Sequence, residues 1–107
     1  RQEVLTIVKA EMTYVDLGAF LKTEKQIQVI RMKNIGKNPL IVQGANTSCG
    51  CIKVEFDKKP IPIGGEAALK ITYEADRSGY FCKTVDIYCN IASSPLQIVV
   101  TGEANER

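Results

Sequence analysis

The sequence predicts an all-β protein, an antiparallel β-sandwich of seven to eight strands. The first observation behind this prediction is that apolar and polar residues alternate in several segments, which is typical of strands with one buried face. The second is the short, regular spacing of turn-forming residues. The third is the length of 107 residues with 45% apolar content, which suits one hydrophobic core and a single domain over 1–107.

The alternation defines the predicted strands and the predicted core. The strands are expected at 4–9, 12–17, 26–34, 39–45, 52–57, 67–75, 81–90 and 96–103. The residues predicted to be buried share the apolar parity of their strands, and they are Leu40, Val42, Leu69, Ile71, Val85, Ile87, Leu96 and Ile98.

One predicted strand, 26–34, does not alternate regularly. Ile27 and Val29 have one parity, whereas Ile30 and Met32 have the other. Either a bulge inserts one residue and restores a single buried face, or both faces of this strand are covered. The pattern alone leaves both alternatives open.

Turn residues separate the strands, beginning with Asp16-Leu17-Gly18. We expect Asn34 to hydrogen-bond the turn that follows it. We expect Gly36 to have a positive φ angle, which only glycine adopts without steric cost. Gly64 and Gly79 are likewise predicted to be structural turn residues.

Several kinds of function are disfavoured by composition. The chain contains no histidine, which removes Ser-His-Asp and Cys-His catalysis and the commonest zinc ligand. The net charge is +2, and Lys58-Lys59 is the only adjacent basic pair, whereas nucleic-acid binders concentrate positive charge on one face. We therefore predict no catalytic residues, no metal site, no cofactor and no nucleic-acid partner.

The four cysteines restrict each other's pairing. Cys82 and Cys89 lie seven residues apart in one predicted strand, about 23 Å from each other and on opposite faces, which is too far for a disulfide. Free thiols or a single bridge are therefore expected rather than full pairing. Cys89 shares parity with buried residues and is expected in the core, and Cys82 is expected at the surface.

Cys49-Gly50-Cys51 is the candidate functional or redox segment. One interpretation is a tight turn in which Gly50 provides a conformation that a β-carbon forbids. A second is a reducible cysteine pair, and a third is a soft-metal site. All three interpretations remain open from the sequence.

A set of segments in fixed order resembles a known family. The matching segments are Asp16-Leu17-Gly18, Asn34-Ile35-Gly36 followed by Pro39-Leu40, Cys49-Gly50-Cys51, Pro60-Ile61-Pro62-Ile63-Gly64, Gly79-Tyr80-Phe81-Cys82-Lys83-Thr84-Val85, Asn90, and Leu96, Ile98 and Gly102. They resemble the bacterial domain of unknown function 1573, an immunoglobulin-like family related in fold to major sperm protein and ASH domains, over 14–104. The resemblance implies an exported protein, periplasmic or at the cell surface, in bacteria of the Bacteroides type. It implies no catalytic activity.

The sequence therefore predicts a non-catalytic immunoglobulin-like interaction or structural module of an exported bacterial protein. The physical reason is that the open edges of a sandwich accept a partner strand. We expect a protein partner, and membrane contact only through a lipid anchor outside this sequence. Because the sequence begins at Arg1, we expect that a signal peptide has already been removed. The alternative is a thiol redox or metal-handling protein that uses Cys49-Gly50-Cys51.

Overall fold

Two four-stranded sheets form the fold in a computed structural model that describes residues 5–48 and 50–106. The predicted all-β sandwich is confirmed, although residue 4 of the first predicted strand lies outside the described residues. The described part of the chain contains no helix that is long and apolar enough to cross a membrane. The strands are β1 (Val8–Ala10), β2 (Tyr14–Leu21), β3 (Gln26–Asn34), β4 (Val42–Thr47), β5 (Ile52–Glu55), β6 (Glu66–Tyr73), β7 (Gly79–Cys89) and β8 (Leu96–Asn105).

The strand order is β1-β3-β6-β5 in the first sheet and β2-β8-β7-β4 in the second. Neighbouring strands are antiparallel except for β2 and β8, which are parallel. The purely antiparallel prediction is wrong for that pair. The reason is that residues 11–13 carry the chain from the first sheet to the second without a hairpin, so β2 does not pair with the strand before it.

The segment Asp16-Leu17-Gly18 is a bulge inside β2 rather than the predicted turn. The register between β2 and β8 shifts between Asp16 and Ala19. Gly18 has a φ of 73°, and its N–H donates to Asp16 Oδ1 at 2.9 Å. Turns and bulges use the same residue types because both need a positive φ and a local acceptor.

The core lies between the two sheets. Seven of the eight residues predicted to be buried are buried. The eighth, Leu96, is half-buried because it is the first residue of β8. Phe20, Tyr73 and Phe81 form an aromatic cluster at one end, where the rings of Tyr73 and Phe81 stack at 4.3 Å between centroids.

Strand β3 is regular, contrary to both interpretations of its mixed parity. Its register with β6 is continuous from Gln26 to Lys33, so there is no bulge. Ile30 and Met32 are fully buried. Ile27 and Val29 instead point outward, with 52% and 41% of their surface exposed. The outer face of β3 is therefore apolar and exposed at Ile27 and Val29, whereas Arg31 and Lys33 make its second half charged.

A buried isoleucine of the second sheet, Ile87, and an exposed isoleucine of the first sheet, Ile27, allow a matched test of the core. Ile87 has no exposed surface, so Ile87→Ala is expected to lower the free energy of unfolding by about 2–5 kcal/mol in urea denaturation. Ile27→Ala is expected to cost less than about 1 kcal/mol, since more than half of that side chain is already in water. A loss below about 0.5 kcal/mol for Ile87→Ala would show that its face is assigned wrongly.

Candidate functional site

Asn34 is the centre of a buried hydrogen-bond network at one end of the sandwich. Its Oδ1 accepts from the Thr6 hydroxyl at 2.6 Å and from the Gly36 N–H at 3.2 Å. Its Nδ2 donates to the carbonyl oxygens of Asn38 and Ile61 at 2.8 and 3.1 Å. The side chain therefore joins the segment before β1, the loop after β3 and the loop before β6.

Gly36 lies within the same network, but for a different reason from the predicted one. Its φ is not in the positive range, which among the described residues occurs at Gly18, Gly64 and Gly79. A β-carbon at Gly36 would overlap Thr6 Oγ1 and the backbone nitrogen of Ile7. Close approach of the chain before β1, and not backbone conformation, requires glycine at this position.

Gly64 and Gly79 lie at opposite ends of the sandwich. Gly64 has a φ of 83° and donates its N–H to the carbonyl of Asn34 at 2.9 Å. Gly79 has a φ of 116° and is the first residue of β7. Neither backbone conformation suits a residue with a β-carbon, so each glycine helps to define a strand connection.

Cys51 lies at the end opposite Asn34, and it is part of a disulfide. Cys49 lies outside the described residues. Cys51 is half-buried and packs against the core, while a β-carbon at Gly50 would meet no atom within 4 Å. Steric crowding therefore does not explain why position 50 is a glycine.

An open cleft of about 440 Å³ adjoins Cys51, with Lys53, Glu74 and Asp76 among the residues that line it.

Of the other cysteines, Cys82 is an exposed free thiol and Cys89 is a buried free thiol, as predicted. Burial raises the pKa of the Cys89 thiol above its ordinary value. The redox and metal interpretations of Cys49-Gly50-Cys51 stay predictions.

A different feature, the unpaired half of β3, was not expected from the sequence. β1 pairs with β3 only at residues 32–34 of β3. Glu11, the residue that follows β1, donates its N–H to the Arg31 carbonyl at 2.9 Å. β3 itself begins at Gln26. Within residues 5–48 and 50–106, no strand lies beside residues 26–30 on the side away from β6. We call residues 26–30 the open edge of β3.

The direction of the main-chain groups at the open edge follows from two bonds at the other end of β3. The Asn34 N–H donates toward the β6 side, to Gly65, whereas the Ile35 N–H donates to Ile7 on the β1 side. Successive residues of an antiparallel strand face alternate neighbours. Odd-numbered residues of β3 therefore direct their N–H and C=O groups away from β6. At Ile27 and Val29 these groups face the open side.

The composition of the open edge favours pairing with another strand. Gln26, Ile27, Gln28, Val29 and Ile30 include no charge, glycine or proline, and β-branched residues suit strands. The Val29 carbonyl accepts a hydrogen bond from Gln28 Nε2 at 3.2 Å. The half-buried Gln28 side chain thus occupies an acceptor that a neighbouring strand would otherwise use.

The other edge strands carry features that discourage pairing. The register of β4 shifts between Val42 and Gly44, and β2 contains the bulge described above. The two remaining edge strands, β1 and β5, carry the charged side chains of Lys9, Lys53 and Glu55. The open edge of β3 is thus the least protected edge among the described strands.

Comparison with known proteins adds the fold relatives. No curated protein matches the chain. A protein of unknown function from Porphyromonas gingivalis W83 is 26% identical in sequence, with a TM-score of 0.81. The match covers 92% of this chain and 47% of that protein, so this chain spans about half the length of that relative. An ASH/PapD-like domain of human CEP192 (PapD-like domain 7) is 11% identical, with a TM-score of 0.79, and the match covers 96% of this chain and 88% of that domain.

A third relative, WR4, a member of the MSP family from C. elegans, is 11% identical, with a TM-score of 0.58 over 94% of this chain and 99% of its own. These structures share the immunoglobulin-like sandwich with the chain, as the sequence resemblance implied. The model of one family, Protein of unknown function (DUF1573), matches residues 8–104, beginning slightly before the expected range. The chain therefore belongs to this DUF1573 family.

Proposed function

We propose that this domain is a non-catalytic protein-binding module of an exported bacterial protein. In this proposal the partner contributes an extended segment, which pairs as an additional strand with the open edge of β3. The observation that carries the proposal is the row of outward main-chain groups at Ile27 and Val29, next to their exposed side chains. Strand addition satisfies such groups with main-chain hydrogen bonds and obtains specificity from alternate side chains.

The energetic case combines two contributions. Each new main-chain hydrogen bond stabilises a complex by roughly 0.5–1.5 kcal/mol net. Partner side chains on the outer face would also remove the exposed parts of Ile27 and Val29 from water, which is favourable in proportion to the apolar area buried. The same two contributions are smaller at edges where a bulge or a charge interrupts the ladder.

A different protein suits the open edge better than a second copy of this chain. Antiparallel self-pairing centred on Gln28 would place Lys25 of one copy opposite Arg31 of the other, whose outward carbonyl already accepts from the Glu11 N–H. Like charges directly opposite each other on neighbouring strands are destabilising. We therefore propose a partner with alternating apolar residues and no basic residue at those positions.

The disulfide of Cys51 supports the exported location of this proposal. Disulfides persist in oxidising compartments such as the bacterial periplasm and the cell surface, and they are rare in the reducing cytosol. Localisation of the intact protein by cell fractionation tests this part directly. Recovery of the protein in the cytosol alone would contradict it.

The binding site is tested by proline substitution at the open edge. A display library of linear peptides is first selected against the wild-type domain, and the dissociation constants of selected peptides are measured by calorimetry. Val29→Pro removes an N–H group that the fold leaves pointing outward, and edge strands tolerate proline at such positions. We expect Val29→Pro to weaken peptide binding at least about tenfold while the protein remains folded.

Ala45→Pro is the matched control on β4. The Ser48 N–H donates to the Thr84 carbonyl, so even-numbered residues of β4 face β7 and the Ala45 N–H faces outward. Ala45→Pro is therefore expected to bind the peptides as the wild type does. Equal binding by Val29→Pro, or a selection in which no peptide depends on the open edge, would overturn the proposal. Should Val29→Pro not fold, perturbation of the Ile27 and Val29 amide resonances by peptide decides the question in the wild type.

A further inference from the structure

A groove lies on the outer face of the second sheet, over the bulge of β2. Its volume is about 420 Å³, and Tyr14, Asp16, Ala19, Tyr80 and Glu103 are among the residues that line it. It belongs to the sheet that does not contain β3. It is therefore separate from the open edge.

The groove exists because small residues lie between larger ones. Ala19 of β2 and Tyr80 of β7 both lie beside Glu103 of β8. Ala19 and the preceding Gly18 leave space over the bulge that longer side chains would fill. Phe81 and the Gly18 carbonyl approach Gly102 so closely that a β-carbon there would lie 2.7 and 3.1 Å from them. The floor of the groove is thus closely packed and its upper part is open.

Two tyrosine side chains border the groove and are unusually exposed. Tyr80 has 85% of its surface exposed and Tyr14 has 61%. The hydroxyl of Thr101 lies 3.3 Å from the Tyr14 hydroxyl and 3.4 Å from the Val15 carbonyl, and it can donate to either. Exposed aromatic side chains grouped around one depression are typical of binding surfaces.

The charge of the groove has one sign. Asp16 and Glu103 contribute carboxylates, and none of the described residues that line it is basic. The Gly18 N–H donates to one oxygen of Asp16 at 2.9 Å, which orients this carboxylate. The combination of aromatic faces with negative charge is complementary to a cation that has a flat surface.

We infer that this groove binds an arginine side chain presented by a partner protein. A guanidinium group stacks on a tyrosine ring and donates several hydrogen bonds in one plane, so it can contact Tyr80 and the Glu103 carboxylate together. The lysine ammonium is a compact, strongly hydrated charge that lacks this planar arrangement. This inference is independent of strand addition at β3, so either can fail without the other.

Amide-resonance titration with small probes tests the inference. The probes are N-acetyl-arginine amide and N-acetyl-citrulline amide, which have similar length and shape but differ in charge. We expect the arginine probe to shift the resonances of Tyr80, Thr101 and Glu103 saturably, with a dissociation constant about tenfold below that of the citrulline probe. We also expect the affinity to fall as salt is added.

Variants distinguish this site from weak binding elsewhere on the surface. Glu103→Gln and Tyr80→Leu are each expected to reduce the affinity for the arginine probe several-fold. Glu66→Gln, an exposed carboxylate on the first sheet, is the matched control and is expected to leave it unchanged. Equal affinity for the two probes, or no effect of Glu103→Gln, would overturn the inference. Saturable binding of a neutral oligosaccharide at these resonances, without binding of arginine, would overturn it in favour of a sugar site.

Discussion

Gly36→Ala is expected to destabilise the domain by about 3 kcal/mol or more. The added β-carbon would overlap Thr6 Oγ1 and the Ile7 nitrogen, and a backbone atom cannot turn away as a flexible side chain can. The chain before β1 would have to move. That movement would break the bond from the Ile35 N–H to the Ile7 carbonyl, which is 2.9 Å long. Urea denaturation of the variant and the wild type measures the loss.

Gly44→Ala is the matched control for this substitution. Gly44 lies in β4 with no positive φ, and a β-carbon there would meet no atom within 4 Å. We expect a change in the free energy of unfolding of no more than about 1 kcal/mol. If Gly36→Ala were as stable as Gly44→Ala, the close approach between the loop after β3 and the chain before β1 would be wrong.

Asn34→Ala is expected to lower the free energy of unfolding by about 3–5 kcal/mol. The Asn34 side chain is fully buried and takes part in four hydrogen bonds. Alanine would leave the Thr6 hydroxyl and the carbonyls of Asn38 and Ile61 without those bonds in a place that water does not reach easily. Buried polar groups that lose their partners carry the full cost of desolvation.

Asn46→Ala provides the comparison for Asn34→Ala. Asn46 is exposed on β4, so its loss is expected to change stability by no more than about 0.5 kcal/mol. Thermal unfolding of both variants is sufficient to rank them. A melting temperature for Asn34→Ala equal to that of Asn46→Ala would contradict the role of Asn34 as the link between three segments.

The strands and the core could be predicted from the sequence because their signals are local. Alternation at Leu69 and Ile71, or at Val85 and Ile87, depends only on which face of one strand is buried. The place of Asn34 at the end of a strand is a local signal of the same kind. The free Cys82 at the surface and the buried Cys89 follow from the parity of β7.

The open edge of β3 could not be predicted, because it depends on where another strand ends. The short pairing of β1 leaves the edge of β3 open at Ile27 and Val29, and the sequence of β3 does not contain the position where β1 ends. The mixed parity of 26–34 was the only signal, and it suggested a bulge or a covered face. The reason why position 36 is a glycine could not be predicted either, since Thr6 and Ile7 approach it from a distant part of the sequence.

Amide hydrogen exchange at Ile27 and Val29 tests strand addition at the open edge of β3 most directly. In the free domain, the amides of Ile27 and Val29 should exchange quickly, because they face outward, while those of Gln28 and Ile30 should exchange slowly, because they face β6. With a selected peptide bound, the exchange at Ile27 and Val29 should slow by at least about tenfold. Unchanged exchange at both residues while the peptide is bound would contradict strand addition at β3.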